Sequence, residues 1–195
     1  MVTKKDITAI ILAGGKGRRL GGIDKGLLEL NQRPLIEYVI DSISPQVAVL
    51  AISANRNQDK YSGYGVDVIA DLKKDYQGPL SGLASVMGSV RTSHVLAVPC
   101  DMPGLPADLV ERMTAALNNS GCNIAVVHDG KRIQNVLMLM ATELHKEINT
   151  FLASGGRAVK DWLAIHDIAV ADFNGSEEQF GSINTQDDVD RFQFG

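Results

Sequence analysis

Ile7-Thr8-Ala9-Ile10-Ile11-Leu12-Ala13-Gly14-Gly15-Lys16-Gly17-Arg18-Arg19-Leu20-Gly21-Gly22-Ile23-Asp24-Lys25-Gly26 joins an apolar run to a segment dense in glycine and positive charge. Ile7 to Leu12, with Thr8 and Ala9 inside the run, reads as a buried strand. The pattern breaks at Gly14-Gly15 into a loop with five of the chain's 19 glycines (Gly14, Gly15, Gly17, Gly21, Gly22) and three cations, Lys16, Arg18 and Arg19. Lys25, a fourth cation, is followed at once by Gly26. Glycine has no Cβ to clash, so such a backbone turns sharply and approaches a ligand closely. Consecutive N–H groups in a turn of this kind form a concave anion site, and the cations add the charge a polyphosphate requires. The stretch therefore predicts a nucleotide site.

Two phosphate-binding loops are excluded by spacing. No Gly-Lys pair is followed by Ser or Thr, as a P-loop demands. Gly15 and Gly17 begin a dinucleotide fingerprint, but Leu20 stands where its third glycine belongs. The plain alternative is a surface loop with ordinary cations.

Length and composition narrow the field. At 195 residues, 45% hydrophobic and 22% charged, the chain is expected to form a single globular domain, residues 1–195. A net charge of −4 argues against a dedicated nucleic-acid binder and leaves room only for a local basic patch. Cys100 and Cys122 have no metal-ligand spacing and suggest no disulfide framework, which suits the cytoplasm. Lys4-Lys5 before an apolar run invites comparison with a signal peptide. The run is short, however, Asp6 interrupts its approach and basic residues follow it, so export is not expected. No stretch is long enough to span a membrane.

The rest of the chain alternates in character. Helices are expected over 34–44, 80–90, 105–117, 143–152, 158–165 and 185–192, the last capped by Thr185 with Asp188 three residues on. Apolar strands are expected over 47–52, 66–70, 95–98, 124–127, 136–140 and 168–173, and the polar stretch 55–65 reads as helix or loop. Strands apolar throughout, alternating with helices, predict a three-layer α/β/α fold of Rossmann-like type with a mostly parallel sheet. Ligands bind such sheets at the carboxyl ends of the strands. Three of these strands end in suitable chemistry: the glycine loop, Asp71 and Asp101.

Asp101 lies in Pro99-Cys100-Asp101-Met102-Pro103, directly after a strand. A carboxylate there suits Mg²⁺, which is often held by one or two carboxylates plus phosphate oxygens. It equally suits a turn aspartate capping a helix that begins near Pro106. Asp71 could equally cap the segment after its strand, and Lys25 alone is also compatible with a solvated surface lysine. His94, His128, His145 and His166 show no paired ligand spacing, and no Ser-His-Asp or Cys-His ordering supports nucleophilic catalysis.

Leu12-Ala13-Gly14-Gly15-Lys16-Gly17-Arg18-Arg19 through Asp24-Lys25 resembles the nucleotidyltransferase family, whose members carry Leu-Ala-Gly-Gly-x-Gly/Ser-x-Arg-Met/Leu-Gly and a lysine shortly downstream. Gly26 to Leu30, Ser53-Ala54-Asn55-Arg56, Asp71, Gly78-Pro79-Leu80-Ser81-Gly82, Pro99 to Pro103 and Asn184-Thr185 follow in family order. Ala-Asn-Arg and Gly-Pro-Leu-x-Gly are similar to the guanylyltransferase branch of molybdenum cofactor synthesis, which joins GMP to molybdopterin. The resemblance implies that Leu12, Ala13, Gly14 and Gly15 meet the nucleotide through the backbone. It implies that Lys25 and Arg19 offset phosphate charge, that Asp71 contacts the base or ribose side and that Asp101 binds Mg²⁺. Gly78, Pro79 and Leu80 would wall the nucleotide, with Gly82, Ser182 and Asn184 toward the pterin. Ser53 and Ser182 depart from a family pattern that commonly has asparagine. The shorter Ser53 leaves a nucleotide contact weaker or passes it to Asn55.

The activity so implied is transfer of GMP from GTP to molybdopterin with release of pyrophosphate. GTP and the pterin would be the substrates, and molybdoenzymes or other proteins of the pathway the partners. Three alternatives stand beside it: the cytidylyl enzyme of the same pathway, a sugar-phosphate nucleotidyltransferase, and a non-catalytic nucleotide or cofactor carrier. The cytidylyl branch tends to Ala-Ala-Gly in the first motif, where this chain has Ala13-Gly14-Gly15.

Overall fold

The computed structural model describes residues 1–15, 22–70, 78–185, 188–189 and 192. Strand β1, Ile7–Leu12, is the central apolar run, and its side chains alternate between two cores. Ile7, Ala9 and Ile11 enter one cluster, while Ile10 enters the other. This is the period-two alternation of a strand covered on both faces. Next come β2 (Glu29–Leu30), β3 (Arg33–Pro34), α1 (Leu35–Ile43), β4 (Val49–Ser53), α2 (Gln58–Ser62) and β5 (Asp67–Ile69). They are followed by α3 (Pro79–Met87), β6 (His94–Pro99), α4 (Leu109–Ser120), β7 (Ile124–His128) and β8 (Ile133–Ala141). The described elements end with α5 (His145–Ala153), α6 (Val159–Leu163) and β9 (Ala169–Asp172).

The main sheet has seven strands in the order β5-β4-β1-β6-β8-β7-β9. β5, β4, β1 and β6 are parallel, as are β7 and β9, whereas β8 pairs antiparallel with both β6 and β7. Residues 129–132 are too few for the crossover that a parallel neighbour requires, so β8 must fold back on β7. The α/β class and mostly parallel sheet match the sequence reading; the reversed strand was not foreseen.

α1 and α4 cover one face of the sheet, and α3, α5 and α6 cover the other. Ile36, Val39 and Ile43 of α1 pack with Ile11 and Val98, while Leu80, Leu83 and Trp162 pack with Ile10 and Ala97. The hairpin β2–β3 was also absent from the sequence reading. Asn31 (φ 52°) and Gln32 (φ 62°) turn it through left-handed conformations, whose twist suits a two-residue hairpin. Leu30 and Leu35 form a third apolar cluster with Ile183 and Val189, drawing the C-terminal segment toward the hairpin.

The cap expected at Thr185 is present. The Asp188 amide donates to Thr185 Oγ1 at 3.2 Å, and the Thr185 amide donates to Asp188 Oδ2 at 2.9 Å. The expected helix over 185–192 lies partly outside the described residues.

Candidate active site

β1 and β6 are hydrogen-bonded neighbours, with Leu12 opposite Pro99, so the glycine segment and Asp101 leave the same end of the sheet. After the glycine segment, Lys25–Leu27 forms a single 3₁₀ turn. From it Lys25 Nζ donates to Asp101 Oδ2 at 3.0 Å and to Asn184 Oδ1 at 2.5 Å. The Lys25 and Asp101 side chains are 26% and 15% exposed, so the pair is neither a solvated surface bridge nor sealed from a ligand. This placement removes the plain alternative for each residue. Asp101 caps no helix, because α4 starts at Leu109 after Asp108, and Lys25 is no solvated lysine. The Ile183 amide donates to the Asp101 carbonyl at 2.9 Å, which brings the C-terminal segment and Asn184 to this strand end.

Asn184, expected on the pterin side, lies on Lys25; its Nδ2 also donates to the Ser182 carbonyl at 3.3 Å. Ser53 ends β4, is buried, and accepts the Ala13 amide through its carbonyl at 2.8 Å. Ala13 is buried, and Leu12 and Gly14 are half-buried. The Asn55 side chain faces Gly14, since a Cβ there would lie 3.0 Å from Asn55 Nδ2. Gly78 precedes α3 at φ 90° and ψ −179°, a conformation open to glycine. Pro79 then starts that helix, whose Leu80 and Gly82 are buried. The backbone carbonyl of Arg157 packs behind Gly78, 3.6 Å from where a Cβ would stand. Gly15 is exposed at the start of the loop. Arg19 and Asp71 lie outside the described residues.

Four supporting residues had no assigned role in the sequence reading. Arg56 donates to the Gly15 carbonyl at 3.0 Å and the Gly22 carbonyl at 2.8 Å, bracketing the two ends of the glycine loop. Asp24 is buried beside Lys25, where Tyr61 Oη donates to its Oδ1 at 2.6 Å and Asn57 Nδ2 to its Oδ2 at 2.9 Å. Arg56 lay within a quoted motif, but nothing in the local pattern ties Asp24 to partners 33 and 37 residues away.

Burial pushes the Tyr61 hydroxyl well above its ordinary value, and its bond to Asp24 pushes it further, so it remains a donor. Burial, reinforced by the nearby Asp101 and Asp24 charges, likewise raises the Cys100 thiol and keeps it protonated. A protonated, buried thiol is not a nucleophile, in keeping with the absence of a nucleophilic pattern in the sequence.

Among the described residues no three His, Cys, Asp or Glu side chains cluster as a metal cage. The single Asp101 carboxylate still fits Mg²⁺, which takes oxygen ligands and usually shares one or two carboxylates with substrate phosphates. The described geometry thus brings a half-buried ammonium and a carboxylate together at the end of the sheet from which the glycine segment leaves β1.

Comparison with known proteins identifies this arrangement's relatives. The family profile described as the MobA-like NTP transferase domain matches residues 9–170. The molybdenum cofactor guanylyltransferase of Shewanella sediminis is 48% identical over 92% of this chain and 91% of its own. That of Shewanella putrefaciens is 44% identical over 95% of each chain. In fold, the chain superposes on molybdopterin-guanine dinucleotide biosynthesis protein A of Archaeoglobus fulgidus with a TM-score of 0.79 at 22% identity, covering 96% of both. The 4-diphosphocytidyl-2C-methyl-D-erythritol synthase of Anaerococcus prevotii shares the fold at a TM-score of 0.75 and 14% identity, covering 96% of this chain and 94% of that one. Among the described residues no helix is long and apolar enough to cross a membrane. The chain belongs to the MobA-like NTP transferase family, to which the sequence of its glycine loop had already pointed.

Proposed function

We propose that this protein transfers GMP from GTP to molybdopterin, releasing pyrophosphate and forming molybdopterin guanine dinucleotide, with Mg²⁺ as cofactor and in the cytoplasm. The observation that carries the reading is the meeting of Lys25, Asp101 and Asn184, drawn from three distant parts of the chain to the strand end beside the glycine loop. The guanylyl preference is supported by the names of relatives at 44–48% identity.

In the proposed reaction a terminal phosphate oxygen of the pterin attacks the α-phosphorus of GTP in line, and the bond to the pyrophosphate oxygen breaks. Positioning and charge stabilisation dominate such transfers. The attacking phosphate is largely ionised near neutral pH, so no general base is required. Loop N–H groups from Gly14 onward cradle the triphosphate. Lys25 exchanges its protein acceptors for phosphate oxygens, and Arg19 adds charge where it builds on the α-phosphate and the leaving pyrophosphate. Asp101 would hold Mg²⁺, which when bound supplies charge neutralisation on phosphate oxygens. Asp71 is assigned to the base or ribose, and the Gly78–Gly82 segment to the wall between the two substrates, with Ser182 toward the pterin.

The test is pyrophosphate release by purified protein with Mg²⁺ and molybdopterin, offering GTP, CTP and ATP separately. Pterin-dependent release with GTP is expected. Preference for CTP would move the chain to cytidylyl chemistry, and no release from folded protein with a competent pterin would favour a carrier.

A further inference from the structure

A lysine on a glycine-rich turn needs a rigid base if its ammonium is to arrive within a hydrogen bond of a phosphate. The turn that carries Lys25 has one. Asp24 is only 8% exposed, and its two oxygens are held by Tyr61 Oη at 2.6 Å and Asn57 Nδ2 at 2.9 Å. Its backbone carbonyl accepts the Leu27 amide at 3.1 Å, closing the turn. On the other side of Lys25, Gly26 lies against Tyr61 so closely that a Cβ would fall 2.5 Å from the hydroxyl. Tyr61 therefore touches the residues both before and after Lys25. Asn57 is held at φ 50°, ψ 33°, a left-handed conformation that asparagine tolerates and that starts α2. A carboxylate fixed this way in a buried setting is costly to shift, because any departure leaves a charged group short of partners.

We propose that Tyr61 and Asn57 are positioning residues for the transfer reaction, acting through Asp24 to fix the turn that aims Lys25 at the phosphates. This inference rests on the function proposed above, though its geometric core, the hold on Lys25, does not require turnover. Tyr61 touches neither substrate nor Asp101 in this scheme; its effect passes through Asp24 and Gly26 to Lys25 alone. It follows that removing the Tyr61 hydroxyl costs activity only while Lys25 is there to be aimed.

The experiment is Tyr61→Phe, which keeps the ring and its packing, made in the wild-type chain and in Lys25→Ala. In the wild-type background kcat should fall about tenfold with little change in KM for GTP, the result of a misplaced catalytic group. In the Lys25→Ala background the same change should cost less than about twofold, the non-additivity expected of residues acting as a unit. Asn57→Gly, which preserves the left-handed backbone, should show a smaller loss with the same dependence on Lys25. Labelling of the Lys25 amine in the folded protein, read by mass spectrometry, tests the same geometry without turnover. Its rate in Tyr61→Phe should rise about threefold as the amine is released from its acceptors.

An unchanged labelling rate, or equal activity losses in the two backgrounds, would overturn the proposal. A wild-type chain inactive with every nucleotide would instead sink the proposed function, and the labelling rates would still decide the clamp.

Discussion

Asp24 and Asp129 are buried almost equally, 8% and 6% exposed, yet their partners come from opposite distances along the chain. Asp129 Oδ1 accepts the Lys131 and Arg132 amides at 2.8 and 2.7 Å, and its Oδ2 accepts Gln134 Nε2 at 2.5 Å. All three lie within five residues, in the turn and at the start of the β8 strand that it sends back along β7. Asp24 is held by Asn57 and Tyr61, 33 and 37 residues away, beside Lys25 in the candidate active site. The local set closes a hairpin and concerns stability. The distant set transmits the position of α2 to Lys25 and concerns chemistry. Damage to the two should therefore separate in the laboratory.

The largest effect is expected at the carboxylate that Lys25 meets. Asp101→Ala should lower turnover by about 10³-fold or more, the upper range for loss of a transition-state charge partner, with circular dichroism unchanged. Near-wild-type activity at saturating Mg²⁺ would take Asp101 out of the metal role. Lys25→Ala should lose roughly 10²-fold in kcat/KM, and an unchanged rate would return Lys25 to a surface part. Gly26→Ala attacks the clamp from its other side, because the new methyl must displace the Tyr61 hydroxyl from Asp24. Its kcat should fall about tenfold, matching Tyr61→Phe. A fully active Gly26→Ala enzyme would show that the turn yields without moving Lys25.

Asp129→Ala supplies the contrast. It should cost about 1–3 kcal/mol in denaturant unfolding through the loss of charge-assisted hydrogen bonds, while kcat stays at the wild-type value; a large loss of kcat would erase the separation between the two sets.

The smallest expected effect is a pH dependence. Burial pushes the Asp129 carboxyl up, but the Arg132 and Lys131 amides and Gln134 outweigh it and hold the group below its ordinary value of 3.8. A carboxyl depressed in the folded state binds a proton more readily when unfolded. Its stabilising contribution is therefore complete above about pH 4 and lost as pH falls through the lower folded value. Unfolding curves of wild type and Asp129→Asn should thus converge in acid; a constant gap down to acid pH would contradict the assignment.

The same contrast explains what could be read without coordinates. The Ile7–Leu12 run, the strand ends at the glycine loop and Asp101, and the Thr185–Asp188 cap are all written in neighbouring residues. Asn184 was legible only as a motif residue, and its bond to Lys25 spans 159 positions. The β2–β3 hairpin escaped notice because its strands are two residues each and its turn uses Asn31-Gln32, without the glycine that marks most such turns. The direction of β8 was legible and went unread: only residues 128–135 separate the strands expected over 124–127 and 136–140, fewer than the dozen or so a parallel crossover needs.

By itself the sequence determined the layered α/β class, the glycine-rich segment after the first strand and the strand-end carboxylate, since hydrophobic period and glycine placement are local properties. Only the tertiary structure decided which distant groups meet: Lys25 with Asp101 and Asn184, and Asp24 with Asn57 and Tyr61. The physical reason is that a period of two states which face of a strand is buried but not which strand lies beside it. Strand order is settled by the packing of the whole chain, and with it the identity of the groups that share the end of the sheet.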